Sequence, residues 1–123
     1  MSVPKLPDTE LEVMQALWSC DPPASRSDVE SVLRQTHPMA QTTVLTLLSR
    51  LGERGFVKAE KSGRSLLYTP LISKESYLAQ QSKRFVDKLC GGSIPAFAAA
   101  LCQGGLSKEE LSELRTLLEK EGL

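Results

Sequence analysis

Between residues 41 and 70, the hydrophobic pattern changes from the period of a helix to that of a strand. Apolar residues first recur at i, i+3, i+4 and i+7, which predicts a buried stripe on a helix that Gly55 ends; the stripe is Val44, Leu47, Leu48 and Leu51. Short strands are predicted at residues 56–60 and 65–69, and Gly63 in the turn between them is available for positive φ. A helix that leads into a two-stranded hairpin is the layout of a winged helix.

Two shorter amphipathic helices precede this segment. The first is predicted to begin near Pro7 and to end near Cys20. Ser25 and Asp28 have the spacing of a capping box, so a second helix should begin there and run to about Gln35. Two helices followed by a third with a polar exposed face predict a helix-turn-helix. The predicted fold is therefore mainly α with a small β hairpin.

The remainder of the chain is predicted to be helical. A helix of about four turns should end at Gly91-Gly92, a nearly all-apolar segment follows at residues 94–102, and Ser107 with Glu110 caps a last helix. Three helices in about fifty residues bury too little surface to be stable alone. We therefore predict a DNA-binding domain at 1–71 and a three-helix dimerisation region at 72–123; the alternative is a bundle packed against the first domain of its own chain. The predicted dimerisation residues are Leu78, Phe85, Leu89, Ile94, Phe97, Leu101, Leu114 and Leu118.

Charge is balanced overall but unevenly distributed. The sequence has 15 basic and 15 acidic residues. Residues 8–35 contain six acids and two bases, whereas residues 36–70 contain five bases and two acids, a local net charge of 5 − 2 = +3. A neutral protein can carry a basic face, and here the basic segment coincides with the third helix and the hairpin.

The polar side of the third helix carries the side chains that suit major-groove readout. Threonine offers a hydroxyl and a methyl group, and the cations supply phosphate contacts. The predicted DNA-binding residues are Thr42, Thr43, Thr46, Arg50, Arg54, Lys58, Lys61 and Arg64. Leu45 lies at the border of this face, where it either touches a thymine methyl or packs on the first helices. The alternative function for the whole surface is a protein-interaction module.

Enzymatic and metal sites are poorly represented. His37 is the sole histidine, and the three cysteines are widely spaced, so we predict no catalytic triad, zinc site, disulfide framework or cofactor. No stretch approaches the roughly 18 apolar residues of a membrane span, and the N-terminus has no apolar signal core. The sequence predicts a cytoplasmic protein without membrane contact.

Four stretches resemble the penicillinase and methicillin-resistance repressors, the BlaI/MecI family: DTELEVMQALW, TVLTLLSRLGERGFV, GRSLLYTPLISKESY and LSKEELSELRTLLEK. The resemblance implies a homodimer whose winged helix occupies a near-palindromic operator and blocks transcription. It implies that the third helix enters the major groove and that the tip of the hairpin contacts the backbone. In the β-lactam branch a sensor-linked protease cuts the dimerisation region, and the corresponding bond would be Ala100-Leu101.

Two features depart from the family pattern. The family often has Trp-Ser-x-Lys-Thr at the start of the third helix, whereas this chain has Met39-Ala40-Gln41-Thr42-Thr43, so a cation is missing at Thr42. The copper-responsive branch has closely spaced C-terminal cysteines that this sequence lacks. The alternative mode of regulation is release from DNA by a metal or a small-molecule ligand.

Overall fold

The computed structural model describes residues 3–120, which form six helices and a three-stranded antiparallel sheet. The elements in chain order are α1 (Asp8–Trp18), β1 (Ala24–Ser25), α2 (Arg26–Thr36), α3 (Gln41–Glu53), β2 (Val57–Ser62), β3 (Ser65–Pro70), α4 (Lys74–Leu89), α5 (Ile94–Gln103) and α6 (Lys108–Lys120). The predicted fold class, a mainly helical chain with an N-terminal winged helix-turn-helix, is confirmed.

The chain divides into two compact units between Gln81 and Ser82, within α4. The core of the first unit lies where α1, α2 and α3 pack on one another and on the sheet. Its fully buried side chains include Leu6, Met14, Leu17, Leu33, Leu48, Leu51 and Phe56. Burying aliphatic and aromatic side chains of this size stabilises a fold by about 1.5–3 kcal/mol each, so these contacts fix the position of α3.

Local hydrogen bonds set the start of α2 and the end of α3. Ser25 Oγ accepts from the Asp28 backbone N–H at 3.2 Å, and Asp28 Oδ2 accepts from the Ser25 N–H at 3.0 Å, which confirms the capping box. At the end of α3, Gly55 has φ +82, and the Phe56 N–H donates to the Leu51 carbonyl at 2.9 Å. This is a Schellman motif, and glycine fits its left-handed position without strain.

The sheet has the order β1-β3-β2, and both strand pairs are antiparallel. Its hairpin is longer than predicted, because Ser62 pairs with Ser65 and the loop consists of two residues only. Gly63 is the first of these and has φ +64, which a type II′ turn requires. Strand β1 was not predicted, since a strand of two residues is too short to show a period.

The first turns of α4 pack on the first unit through Tyr77, which is buried. The Tyr77 ring lies 5.7 Å from the Trp18 ring and 5.8 Å from the Phe56 ring, centroid to centroid. Its hydroxyl oxygen accepts a hydrogen bond from the Leu6 backbone N–H at 2.9 Å. The Trp18 indole N–H donates to the Ile72 carbonyl at 2.9 Å. These contacts tie the segment that follows the sheet to α1.

The second unit contains the end of α4 together with α5 and α6, and Val86 is the one buried side chain among its described residues. Phe85 and Phe97 are in ring contact at 5.9 Å. Ser107 and Glu110 exchange the two hydrogen bonds of a capping box, at 3.1 and 2.9 Å, as predicted. Within residues 3–120 no single helix has the length and hydropathy of a membrane span; α4 and α5 reach them only as a pair bent by 98°.

Candidate nucleic-acid interface

Helix α3 buries one side and exposes the other, as its hydrophobic period predicts. The predicted stripe of Val44, Leu47, Leu48 and Leu51 is buried in the core. Because that stripe is fixed, the opposite side of α3 faces solvent along its length. The exposed residues of this side include Thr42, Thr43, Leu45, Thr46, Ser49 and Arg50.

One flank of the exposed side borders a shallow groove, here called the hydroxyl groove. Its lining residues are Thr9, Thr42, Thr43, Thr46, Leu47 and Arg50. The structure therefore brings together four of the residues that the sequence analysis singled out, and it adds Thr9 from the start of α1. Side chains this short allow a duplex to approach the helix closely, and hydroxyls both donate and accept hydrogen bonds.

The hydroxyl of Thr46 is already oriented. Its Oγ1 donates to the Thr42 carbonyl at 3.0 Å, one helical turn earlier. With the proton engaged, the lone pairs of Thr46 remain available as acceptors. In the major groove the exposed donors are the amino groups of adenine and cytosine, so this hydroxyl suits those bases.

The other flank of α3 borders a second concavity, here called the wing groove, between the start of α2 and the hairpin. It is lined by Ser25, Arg26, Ser27, Leu45, Arg64, Ser65, Leu66 and Tyr68. Ser25, Arg26 and Ser27 were not predicted as interface residues. No periodic signal marks them in the sequence, because they approach the hairpin only in the folded chain, through the β1–β3 pairing and the packing of α2 on β3.

The five predicted cations differ in their partners. Within residues 3–120, Arg50, Lys61 and Arg64 are exposed and have no carboxylate within 4.0 Å. Lys58 Nζ lies 3.3 Å from Glu60 Oε1, and both side chains are largely exposed. A surface pair of this kind contributes only about 0–1 kcal/mol, so a phosphate can displace Glu60 readily.

Arg54 is held by a buried carboxylate. Its Nε donates to Glu10 Oε1 at 2.6 Å and its Nη2 donates to Glu10 Oε2 at 3.3 Å. The Glu10 side chain is 3% exposed and that of Arg54 is 39% exposed. The pair joins the end of α3 to α1 and neutralises the Arg54 charge locally, which distinguishes Arg54 from Arg50 one helical turn earlier.

The cysteines show no sign of a reactive or metal-binding site. All three are unbridged, and among the described residues no group of three His, Cys, Asp or Glu side chains could hold a metal ion. Burial raises the pKa of the Cys20 thiol, and the carboxylates of Asp28 and Asp21 raise it further. Cys20 is therefore protonated at neutral pH, and a protonated thiol is a poor nucleophile.

Comparisons with known proteins identify a family and several relatives to which this chain is similar. A family model described as "Penicillinase repressor" matches residues 6–120. The penicillinase repressor of Bacillus licheniformis is 30% identical over 119 residues, which cover 96% of this chain and 92% of that protein. The methicillin resistance regulatory protein MecI of Mammaliicoccus sciuri is 25% identical over 118 residues, 95% of each chain.

A solved structure resembles the first unit and contains DNA. It is the solution structure of the monomeric form of BlaI from Bacillus licheniformis in complex with the blaP half-operator. It is 33% identical, has a TM-score of 0.51, and covers 62% of this chain and 92% of that one.

Proposed function

This chain belongs to the penicillinase repressor family, and we propose that it is a homodimeric transcriptional repressor that binds a near-palindromic operator in double-stranded DNA. The family is one of DNA-binding regulators and not of enzymes, in agreement with the prediction of no catalytic activity. A protein that occupies an operator acts where the chromosome lies, so the proposal places it in the cytoplasm. The observation that carries the proposal is the exposed row of hydroxyls on α3 together with Arg50, Lys61 and Arg64, which have no carboxylate partner within the described residues 3–120.

In this proposal α3 enters the major groove with the hydroxyl groove against the bases. Thr42, Thr43, Thr46 and Arg50 read base edges. Lys61, Arg64 and Lys58 on the hairpin contact the phosphate backbone, which fixes the register of the protein on the duplex. Arg54 mainly holds α3 against α1 through its ion pair with Glu10. Only the exposed 39% of its side chain could contact a phosphate, so its contribution to DNA affinity is small. The related structure in complex with a half-operator supports DNA binding by a unit of this fold.

The salt dependence of binding tests the DNA proposal. In this proposal Lys58, Lys61 and Arg64 are the three phosphate-contacting cations of each protomer, and they give six per dimer (2 × 3 = 6). Releasing six counterions predicts a slope of about −5 in log affinity against log salt. Raising the salt from about 50 to 200 mM should therefore weaken binding to an operator fragment about 10³-fold. Affinity for DNA that is absent, or that does not change with salt, would overturn the proposal and favour a protein-interaction module.

Arg50 tests how the sequence is read. Replacing Arg50 by Ala should weaken binding by about 1–3 kcal/mol if its guanidinium bridges a guanine, and the loss should be confined to sequences that keep that base. An equal loss on every sequence would reassign Arg50 to a phosphate. Lys61→Ala is the matched control, because the loss of a phosphate contact on each hairpin should weaken binding uniformly and reduce the salt slope of the dimer by about 2, one for each protomer.

Dimerisation is proposed through residues 72–123, of which the first turns of α4 also pack on the winged helix. Leu78, Phe85, Leu89, Ile94 and Leu118 of the predicted set are exposed, as is Leu117, while Phe97, Leu101 and Leu114 are half-buried. An apolar surface of this extent on a helical segment with almost no buried core is typical of a protein interface. A second copy of the same segment is its natural cover, because it brings an equal apolar surface.

Leu89 gives the sharpest test of the dimer, since its side chain is 73% exposed and its replacement leaves the protomer core intact. Leu89→Glu should lower the solution mass from that of two chains to that of one and weaken binding to a full operator, while binding to a half-operator is retained. Lys88→Glu, which introduces the same carboxylate at an exposed neighbouring position, should leave the mass unchanged. A monomeric wild-type protein, or a dimeric Leu89→Glu protein, would contradict the assignment.

Release from the operator is proposed to occur by cleavage of the Ala100-Leu101 bond by a sensor-linked protease. This bond lies within α5, where Ala100 is exposed and Leu101 half-buried, and α5 has no buried residue. While α5 is not covered by the partner protomer, a helix with so little burial opens locally at low free-energy cost, which a protease requires. Mass spectrometry of the protein from derepressed cells should find a fragment that ends at Ala100. Full-length protein released from DNA would refute cleavage and favour a ligand.

A further inference from the structure

Leu45 is the large apolar side chain that α3 exposes. It is 40% exposed, whereas the four leucine and valine residues of the buried stripe on α3 are at most 4% exposed. A single leucine on a surface needs no explanation. The position of this one on the helix proposed to carry the base-reading groups requires an account. Its exposure leaves part of the side chain free to contact a duplex, while the wing groove also places it near the start of α2.

Leu45 lines the wing groove together with two basic side chains. Arg26 from the start of α2 and Arg64 from the hairpin loop line the same concavity. Arg64 has no carboxylate partner among the described residues, and Arg26 pairs with Glu30 at 2.7 Å. Cations that line the same concavity as an apolar side chain match a duplex, whose phosphates lie near the bases in the groove. The occupant that fits is therefore DNA, and an apolar protein partner would leave Arg64 unpaired.

We propose that Leu45 is a specificity-determining residue that contacts the C5-methyl group of a thymine in the major groove. This inference rests on the proposed DNA-binding function. The hydroxyls and Arg50 on the other flank of α3 recognise hydrogen-bonding groups, which Leu45 cannot do. The methyl group of thymine is the apolar feature of the unmodified major groove. A leucine beside it excludes water from both, and it offers nothing to the amino group of cytosine.

The expected effects follow from the area that the contact buries. Deleting one buried methyl group, by replacing thymine with uracil at the contacted position, should weaken binding about fourfold. Leu45→Ala removes the partner of that methyl group and should weaken binding about tenfold. The two losses should not add, because each removes the same contact. The Leu45→Ala protein should bind the thymine duplex and the uracil duplex with equal affinity.

The experiment begins with selection of DNA from a random duplex library by the full-length wild-type and Leu45→Ala proteins. The DNA selected by the Leu45→Ala protein should show no preference for thymine at one position of each half-site and should keep the base preferences set by Arg50. Alanine is the best helix former, so the variant should keep α3 intact, which circular dichroism verifies. Leu71→Ala, at a leucine that is 57% exposed and outside both grooves, is the matched control and should select the same sequence as wild type.

Both proteins are then titrated with duplexes that carry thymine or uracil at that position, which completes a double-mutant cycle between Leu45 and the methyl group. A fourfold difference with wild type and none with Leu45→Ala supports the contact. Equal thymine preference in both proteins, or additive losses, overturns it while leaving the repressor function in place. If wild type selects no sequence and its binding does not depend on salt, the repressor function fails and this inference falls with it.

Discussion

Replacing Arg54 by Ala is expected to destabilise the first unit strongly while leaving DNA recognition by the folded protein intact. The Glu10 carboxylate is 3% exposed and accepts two hydrogen bonds from Arg54, at 2.6 and 3.3 Å. Removing the guanidinium leaves a buried carboxylate without its cation. Such a loss costs about 3–5 kcal/mol when both partners are buried.

The Arg54 side chain is 39% exposed, so water already screens part of this interaction. We therefore expect a loss nearer to 2–3 kcal/mol in the free energy of unfolding, or a fall in Tm of about 10 °C or more. Urea unfolding followed by the fluorescence of Trp18, the single tryptophan of the chain, measures this loss. Trp18 is a suitable probe because it belongs to α1, the helix to which Arg54 is tied.

Arg50→Ala is the matched control on the same helix. Arg50 is exposed and has no carboxylate partner within residues 3–120, so its removal should change stability by less than about 0.5 kcal/mol. DNA affinity should show the reverse order, with a loss for Arg50→Ala and little change for folded Arg54→Ala. The double variant Glu10→Leu, Arg54→Met should regain most of the stability, since apolar side chains of similar volume often replace a buried ion pair without loss. An Arg54→Ala protein within about 0.5 kcal/mol of wild type would refute the reasoning.

Three further outcomes are expected. Tyr77→Phe leaves the buried Leu6 N–H without its acceptor and should lower the free energy of unfolding in urea by about 1–2 kcal/mol; an unchanged midpoint would contradict this. Gly63→Ala should lower it by about 1 kcal/mol through backbone strain alone, because φ is +64 and an added Cβ meets no atom within 4 Å; Gly63→Asn should lose less. Burial raises the pKa of Cys20, so mass spectrometry should show slower alkylation at Cys20 than at exposed Cys102. The free energy of unfolding should also fall as the pH rises through the range in which thiols ionise, because the folded state holds the Cys20 proton more tightly than the unfolded state does.

The sequence predicts the parts of the fold that repeat a period or carry a cap. The buried stripe of α3, the capping boxes at Ser25 and Ser107 and the ends of α4 and α5 all agree with the structure. Each depends on residues within a few positions of one another, and such patterns act locally. The limits of the hairpin were less accurate, because Lys61 and Ser62 are polar on an exposed strand and give no alternation to read.

The part of the site that could not be predicted is formed by residues distant in sequence. Thr9 meets α3 because α1 packs on it, and Arg26 meets the hairpin because β1 pairs with β3. The partner of Arg54 is 44 positions away, so its sequence neighbourhood marks it as one more cation near a basic hairpin. The local pattern therefore identified α3 as the helix proposed to face DNA, while tertiary packing decides which of its arginines has a carboxylate partner.

The small number of unpaired cations explains why the proposed repressor would need its second unit. Arg50, Lys61 and Arg64 give one protomer three phosphate or base contacts outside ion pairs, too few for tight binding at physiological salt. Joining two such units makes the second binding event intramolecular, which raises affinity by about 10²–10⁴ without any new contact to DNA. Any signal that separates the protomers would then release the operator while α3 remains folded and unchanged. Control of the repressor would in this way reside in the exposed apolar surface of α4, α5 and α6, far in sequence from the residues that read DNA.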